Sequence, residues 1–350
     1  MKGPVISFCC ALLLLAGGQA SAATVLTYAT PYGPNHTFSR ADKTWMAWVS
    51  ERSAGSLSIR PIWSGGLISS DQSLIELRHG VADIGLITPI YAHGGTHLLR
   101  VQTGFYGGAK TFEQQVQMYR CLAADSPQYA RELEGLKILA IQGGTLPGLL
   151  SRTREVHTLD DLKGMRIRVP TELLNVMRDL GADPVTMPMG EVYSSLAKGV
   201  IDAVVAPADT LRSLHFGEVA KFYTELEVPR GAYPARAMPE RRWNNLTPQQ
   251  RQVLEASIPI WEAALSKETR AAVQAGEAEG RTQHVQFIPV APQVQKQFDA
   301  LYEEDALRDA QALSRLGIDA VPVFREARQI ASTLQETGTM TCARRAHAAT

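Results

Sequence analysis

Two arginines stand one residue apart in the stretch Lys163-Gly164-Met165-Arg166-Ile167-Arg168-Val169-Pro170. The alternation predicts a strand over Met165–Val169, and a period of two puts both guanidinium groups on one face. A guanidinium is a planar fork of donors that matches a carboxylate with two parallel charge-assisted bonds. Taken alone, an arginine on a strand is more often a surface charge. The chemistry of this pair therefore depends on where neighbouring elements carry it.

Other polar groups fall at loop positions where α/β sheets meet ligands. Tyr32 and His36 follow the first predicted strand, Tyr91 follows the third, and Asp209 follows Pro207. A lone histidine is more often structural, and Tyr91 is as suited to core packing as to a ligand contact. Asp209 is placed either to accept from a ligand hydroxyl or to cap a helix. Tyr233 and Arg236 lie further on, after a second crossing between lobes. Arg236 is a candidate second cation for a dicarboxylate, weighed against a commoner surface role.

Hydrolytic and metal chemistry find no support in the motifs. There is no Gly-x-Ser-x-Gly elbow and no His-Glu-x-x-His helix. His79, His93, His97 and His157 do not sit at metal-ligand spacing with acidic partners. Glu303-Glu304-Asp305 reads as a solvated helix face. No catalytic residue, metal or cofactor is predicted. The 35 basic and 35 acidic residues give a formal net charge of zero, which argues against a nucleic-acid partner.

The elements that must hold these residues follow from periodicity. Strands are predicted over 24–30, 57–63 and 82–88, with helices over 38–53 and 71–79 between them. Helices over 109–122 and 128–135 and a strand over 137–142 come next. A second run has strands over 165–169, 184–187 and 203–206 and helices over 171–180 and 191–198. Each run predicts an α/β lobe with a parallel sheet. Thr247, Pro248 and Gln250 form the start of a single long helix reaching about Arg281, a suitable brace for two lobes. Helices are also predicted over 294–317 and 322–333.

Three pieces together are specific. They are Asp161-Leu162-Lys163-Gly164-Met165-Arg166-Ile167-Arg168-Val169-Pro170, then Leu180-Gly181-Ala182 with Met187-Pro188-Met189-Gly190-Glu191-Val192-Tyr193, then Gly199-Val200-Ile201-Asp202-Ala203-Val204-Val205-Ala206-Pro207. The chain resembles the TRAP transporter solute-binding family from about Thr24 to Thr333, most strongly between Leu159 and Pro207. The resemblance implies a two-lobed periplasmic binding-protein fold that closes by a hinge, with a long helix spanning both lobes. It implies that Arg168, not Arg166, meets the ligand carboxylate. Many relatives carry Asn before the last Pro, where this chain has Ala206. Met189, Val205, Ala206 and Pro207 are then expected as apolar pocket walls. A 2-oxo acid, a hydroxy acid or an aromatic acid suits such walls better than a sugar acid.

The expected organisation is a signal peptide over 1–23, a first lobe of 24–143 plus about 230–272, a second lobe of 144–229 plus about 273–335, and a tail over 336–350. Met1-Lys2, the apolar run Val5–Ala16 and Ala20-x-Ala22 form the export signal, and no cysteine follows for a lipid anchor. The mature chain is expected to be a periplasmic monomer that is not an enzyme, with a small organic carboxylate and TRAP membrane subunits as partners. A periplasmic sensor, or a binding subunit of another transporter class, is the rival reading. Cys121 and Cys342 remain after cleavage, either as a disulfide or as two free thiols.

Overall fold

The computed structural model describes residues 23–338 and 342. The expected signal peptide, apart from Ala23, and residues 339–341 and 343–350 of the expected tail lie outside the described residues.

Eleven strands build two sheets. In chain order they are β1 (Thr24–Ala29), β2 (Leu57–Ile62), β3 (Ile84–Leu86), β4 (Leu136–Gln142), β5 (Gly148–Ser151), β6 (Arg166–Arg168), β7 (Asp183–Val185), β8 (Ala203–Ala206), β9 (Phe222–Thr224), β10 (Tyr233–Pro239) and β11 (Gln286–Ile288). The first sheet runs β2-β1-β3-β10-β4 and the second β11-β9-β5-β8-β6-β7. Each lobe is therefore a sheet with helices packed on it, in a two-lobed α/β fold.

Neither sheet is purely parallel, which corrects the expectation. β10 pairs antiparallel with both β3 and β4, and β5 pairs antiparallel with both β8 and β9. These two strands follow the first two chain crossings between lobes. A chain arriving from the far lobe enters against the direction of the local βαβ units, so its strand runs antiparallel.

Two long helices brace the lobes. The expected helix over 247–281 is two helices, Pro248–Ala256 and Ile258–Thr282. Pro259 supplies no amide hydrogen and its ring crowds the preceding turn, so the helix breaks at Ser257. The second, spanning helix places Trp261, Ala264 and Leu265 in the first lobe's core. Its far half lies against the second lobe. A Cβ on Gly276 would sit 2.2 Å from the Ala208 carbonyl oxygen and 2.7 Å from Asp209 Cα. Helix Pro292–Ala312 also bridges, with Phe298 and Tyr302 in the second core and Ala306 and Ala310 in the first. The helix expected to end at 333 runs from Val321 to Thr337 and buries Phe324, Ala327, Ile330 and Leu334 in the first lobe's core. This corrects the assignment of 273–335 to the second lobe. Cys342 is bonded to Cys121, with 221 residues of separation, so the chain end is fastened to the first lobe too.

A buried charge sits at the centre of the first lobe. Asp42 of helix Thr37–Arg52 accepts from Tyr28 Oη at 2.7 Å, from Trp261 Nε1 at 2.8 Å and from Arg236 Nε and Nη2 at 2.8 and 3.1 Å. The guanidinium also lies 4.5 Å from the Trp261 ring centroid. Every member of this network is fully buried. It ties a strand, a helix, β10 and the spanning helix to one point.

Candidate functional site

Between the lobes lies a cavity with about 120 Å³ open to the centres of water-sized spheres. It continues into a wider cleft of about 1210 Å³, lined by the loop after β1 on one side and by residues 188–191 and 212–215 on the other. The first lobe contributes Tyr32, His36, Tyr91 and Tyr233 to the cavity wall. The second contributes Arg168, Met189, Pro207 and Asp209. Eight of the expected residues thus meet in one place.

Arg168 ends β6, where the strand runs out toward the cleft and Pro170 turns the chain away. Its guanidinium is only 3% exposed. Nε donates to the Met187 carbonyl at 3.0 Å, and Nη2 donates to Tyr91 Oη of the opposite lobe at 2.9 Å. Both partners are neutral, and Arg168 forms no ion pair of 4 Å or less with a described residue. A buried cation held by neutral acceptors is chemically able to take an anion. Arg166, at the outer end of the same strand, is exposed and lies 3.5 Å from Asp183. Strand direction separates the two arginines.

The first-lobe wall is aromatic. His36 caps the helix Thr37–Arg52, its Nδ1 accepting from the Phe38 amide at 3.2 Å, and stacks on Tyr32 at 4.1 Å. Desolvation, with repulsion from Arg40 and Arg236, lowers its pKa to about 3. The ring is therefore neutral at ordinary pH, and Nδ1 as acceptor leaves Nε2 carrying the proton. Burial raises the Tyr233 hydroxyl to about 12, so it too is neutral, and it accepts from Gln142 Nε2 at 2.8 Å.

Two expected residues are elsewhere. Arg236 is fully buried in its ion pair with Asp42 and does not reach the cavity. Ala206 is 1% exposed and packs in the second lobe's core, while Val205 and Pro207 on either side line the cavity. Successive strand residues face opposite ways, so all three could not be wall. Asp209 stands at the N-cap position of helix Thr210–Ser213 without capping it, and accepts instead from Ser213 Oγ at 3.2 Å. Burial raises its carboxyl to about 6, against the opposing pull of Arg230. The expected solvated acidic face is also corrected at Asp305, which is 1% exposed and bonded to Arg308.

Sequence reasoning missed Glu172 and Arg230 in the wall. Glu172 Oε2 is buried with no hydrogen-bond partner among the described residues. Burial pushes its carboxyl above the usual range, with Arg168 and Arg230 among the groups pulling it back. Arg230 follows Pro229 on the crossing into β10. The Pro-Arg-Gly spelling there marks a turn, and nothing in it marks a ligand contact. Among the described residues, no group of three or more histidines, cysteines or carboxylates is arranged to hold a metal.

A cleft between two braced lobes, with a cation held at its floor, defines a solute-binding protein. Residues 28–309 match the DctP family of bacterial extracellular solute-binding proteins, family 7, and the chain belongs to it. Uncharacterized protein YiiZ of Salmonella typhimurium is 25% identical over 246 residues, covering 65% of this chain and 72% of that protein. A monocarboxylate 2-oxoacid-binding periplasmic protein of Nostoc is 28% identical over 181 residues, covering 50% of this chain and 48% of that one. A crystal structure of a TRAP solute-binding protein from Rhodoferax ferrireducens, with copurified benzoate, has a TM-score of 0.81. It is 20% identical, covering 91% of this chain and all of that one. The fold is that of the TRAP solute-binding proteins.

Proposed function

We propose that the protein captures a small organic carboxylate between its lobes in the periplasm and delivers it, as a monomer, to TRAP membrane subunits without chemical change. The single observation that carries this reading is Arg168, a nearly buried guanidinium with neutral partners drawn from both lobes. An incoming carboxylate supplies the missing counter-charge. Its second oxygen and its body meet the opposite wall only when the cleft narrows, so occupancy favours the closed form. The relatives named as binding a 2-oxo acid or holding benzoate support an acid of that size. The apolar wall residues Met189, Val205 and Pro207 support a ligand with an apolar body. Among the described residues, no helix is long and apolar enough to cross a membrane.

Native mass spectrometry of the purified protein, followed by calorimetry with the acid it carries, tests this. A 1:1 complex with an unmodified acid is expected, with submicromolar affinity that Arg168→Met weakens by about 30-fold or more. Wild-type affinity in folded Arg168→Met, or turnover of the acid, overturns the proposal.

A further inference from the structure

Arg230 is the second cation of the cavity, and its setting differs from that of every other buried arginine nearby. Arg236 is spent on Asp42. Arg168 is bonded to Met187 and Tyr91. Arg230 makes no hydrogen bond or ion pair with another described residue, although its side chain is half-buried in the wall. None of its nitrogens is among the buried atoms left without a partner, so water reaches the guanidinium and a ligand oxygen can take that water's place.

The backbone holds this side chain in place. A Cβ on Gly144 would lie 2.5 Å from Arg230 Cζ and 2.7 Å from Nε, so the guanidinium is laid flat on a glycine. Gly144 is itself fixed, its amide donating to Gln115 Oε1 at 2.8 Å. A Cβ on Gly231 would lie 2.5 Å from Thr103 Cα, so the crossing threads a tight gap between the lobes. Two consecutive close approaches fix the root and the head of one arginine.

We infer that Arg230 is a specificity-determining ligand contact, and that the ligand carries an acceptor oxygen in addition to its carboxylate: a 2-oxo or 2-hydroxy group, or a second carboxyl. This rests on the carboxylate reading of Arg168 and deepens it. Arg168 takes the carboxylate and Arg230 takes the second oxygen. Asp209 and Glu172 are the rival claimants, and neither forms an ion pair of 4 Å or less with Arg230. Both carboxyls stay raised in spite of that arginine.

The test uses two series that differ only in the second oxygen. One is propionate, lactate and pyruvate; the other is phenylacetate, mandelate and benzoylformate. Calorimetry on the wild-type chain is expected to show about tenfold to hundredfold tighter binding of the oxygenated members in the series that fits. Arg230→Met should erase that preference, weakening the oxygenated members at least about tenfold more than phenylacetate or propionate. Gly144→Ala, which keeps the charge but displaces the guanidinium, should erase most of it too. Melting curves of both variants check folding. An unchanged preference in folded Arg230→Met, or wild-type binding that ignores the second oxygen, overturns the inference. Failure of both series to bind at all sinks the carboxylate reading, and this proposal with it.

Discussion

Arg168 stood out from Arg166 only through the motif it shares with the family, and the structure puts it in the cavity wall. Its residue type suits a carboxylate, and its motif places it at a strand end. Its burial without a counter-ion leads to an unusual expectation. Arg168→Met should weaken acid binding by about 2–5 kcal/mol, yet leave the melting temperature of the empty protein unchanged or slightly raised. Arg236→Met should do the opposite. It strands Asp42 inside the first lobe, so chemical denaturation should report a loss of about 3–5 kcal/mol. The sequence could not separate these arginines, because Asp42 lies 194 positions from Arg236. Asp209 gives a pH signature. Its folded pKa, about 6, exceeds the unfolded carboxylate value. Between those values the folded state holds the extra proton, so stability falls as pH rises through that window. Asp209→Asn should therefore be more stable than wild type at pH 7, and the gap should close below pH 4 in thermal melts.

Among the elements, the long periodic ones were legible, and so were the three-residue strands β3, β6 and β7, which longer alternating or apolar stretches mark, whereas β9, β10 and β11 were not. Helix Thr37–Arg52 shows Ala41, Trp45 and Val49 on one buried face, and in β1 buried Leu26 and Tyr28 alternate with Val25 and Thr27. β9 and β11 have three residues each, too few for any period to register. β10 carries Pro234, Pro239 and a charged Arg236, and so reads as a loop. Only its shelter between β3 and β4, and the bulge next to Pro234, make it a strand. The brace was visible, but its break at Ser257 depended on weighing Pro259 against a strong helical pattern. Gly276 is where this brace touches the cavity's floor. Gly276→Ala drives a methyl into the backbone of Ala208 and Asp209. It should cost about 1–3 kcal/mol by overpacking and weaken ligand binding with it. Paired melting and calorimetry check both effects. A variant that melts and binds as wild type would show the helix able to retreat.

For the whole molecule, each lobe was expected to draw on two separate stretches of chain. The first sheet uses 24–142 and 233–239, the second 148–224 and 286–288. The Cys121–Cys342 bond closes a loop of 221 residues that contains the entire second sheet. Chain entropy sets a ceiling of about 5 kcal/mol on what this bond contributes. Reduction, or Cys121→Ser, should lower the melting temperature without altering ligand affinity, since neither cysteine lines the cavity. Nesting also governs the order of assembly. The first lobe begins with β1 but draws an inner strand of its sheet from 233–239 and a core helix from 321–337. It has no complete interior until synthesis is almost finished. A nascent chain must therefore stay open along nearly its whole length, and the last-made helix is what finally shuts the first-made lobe.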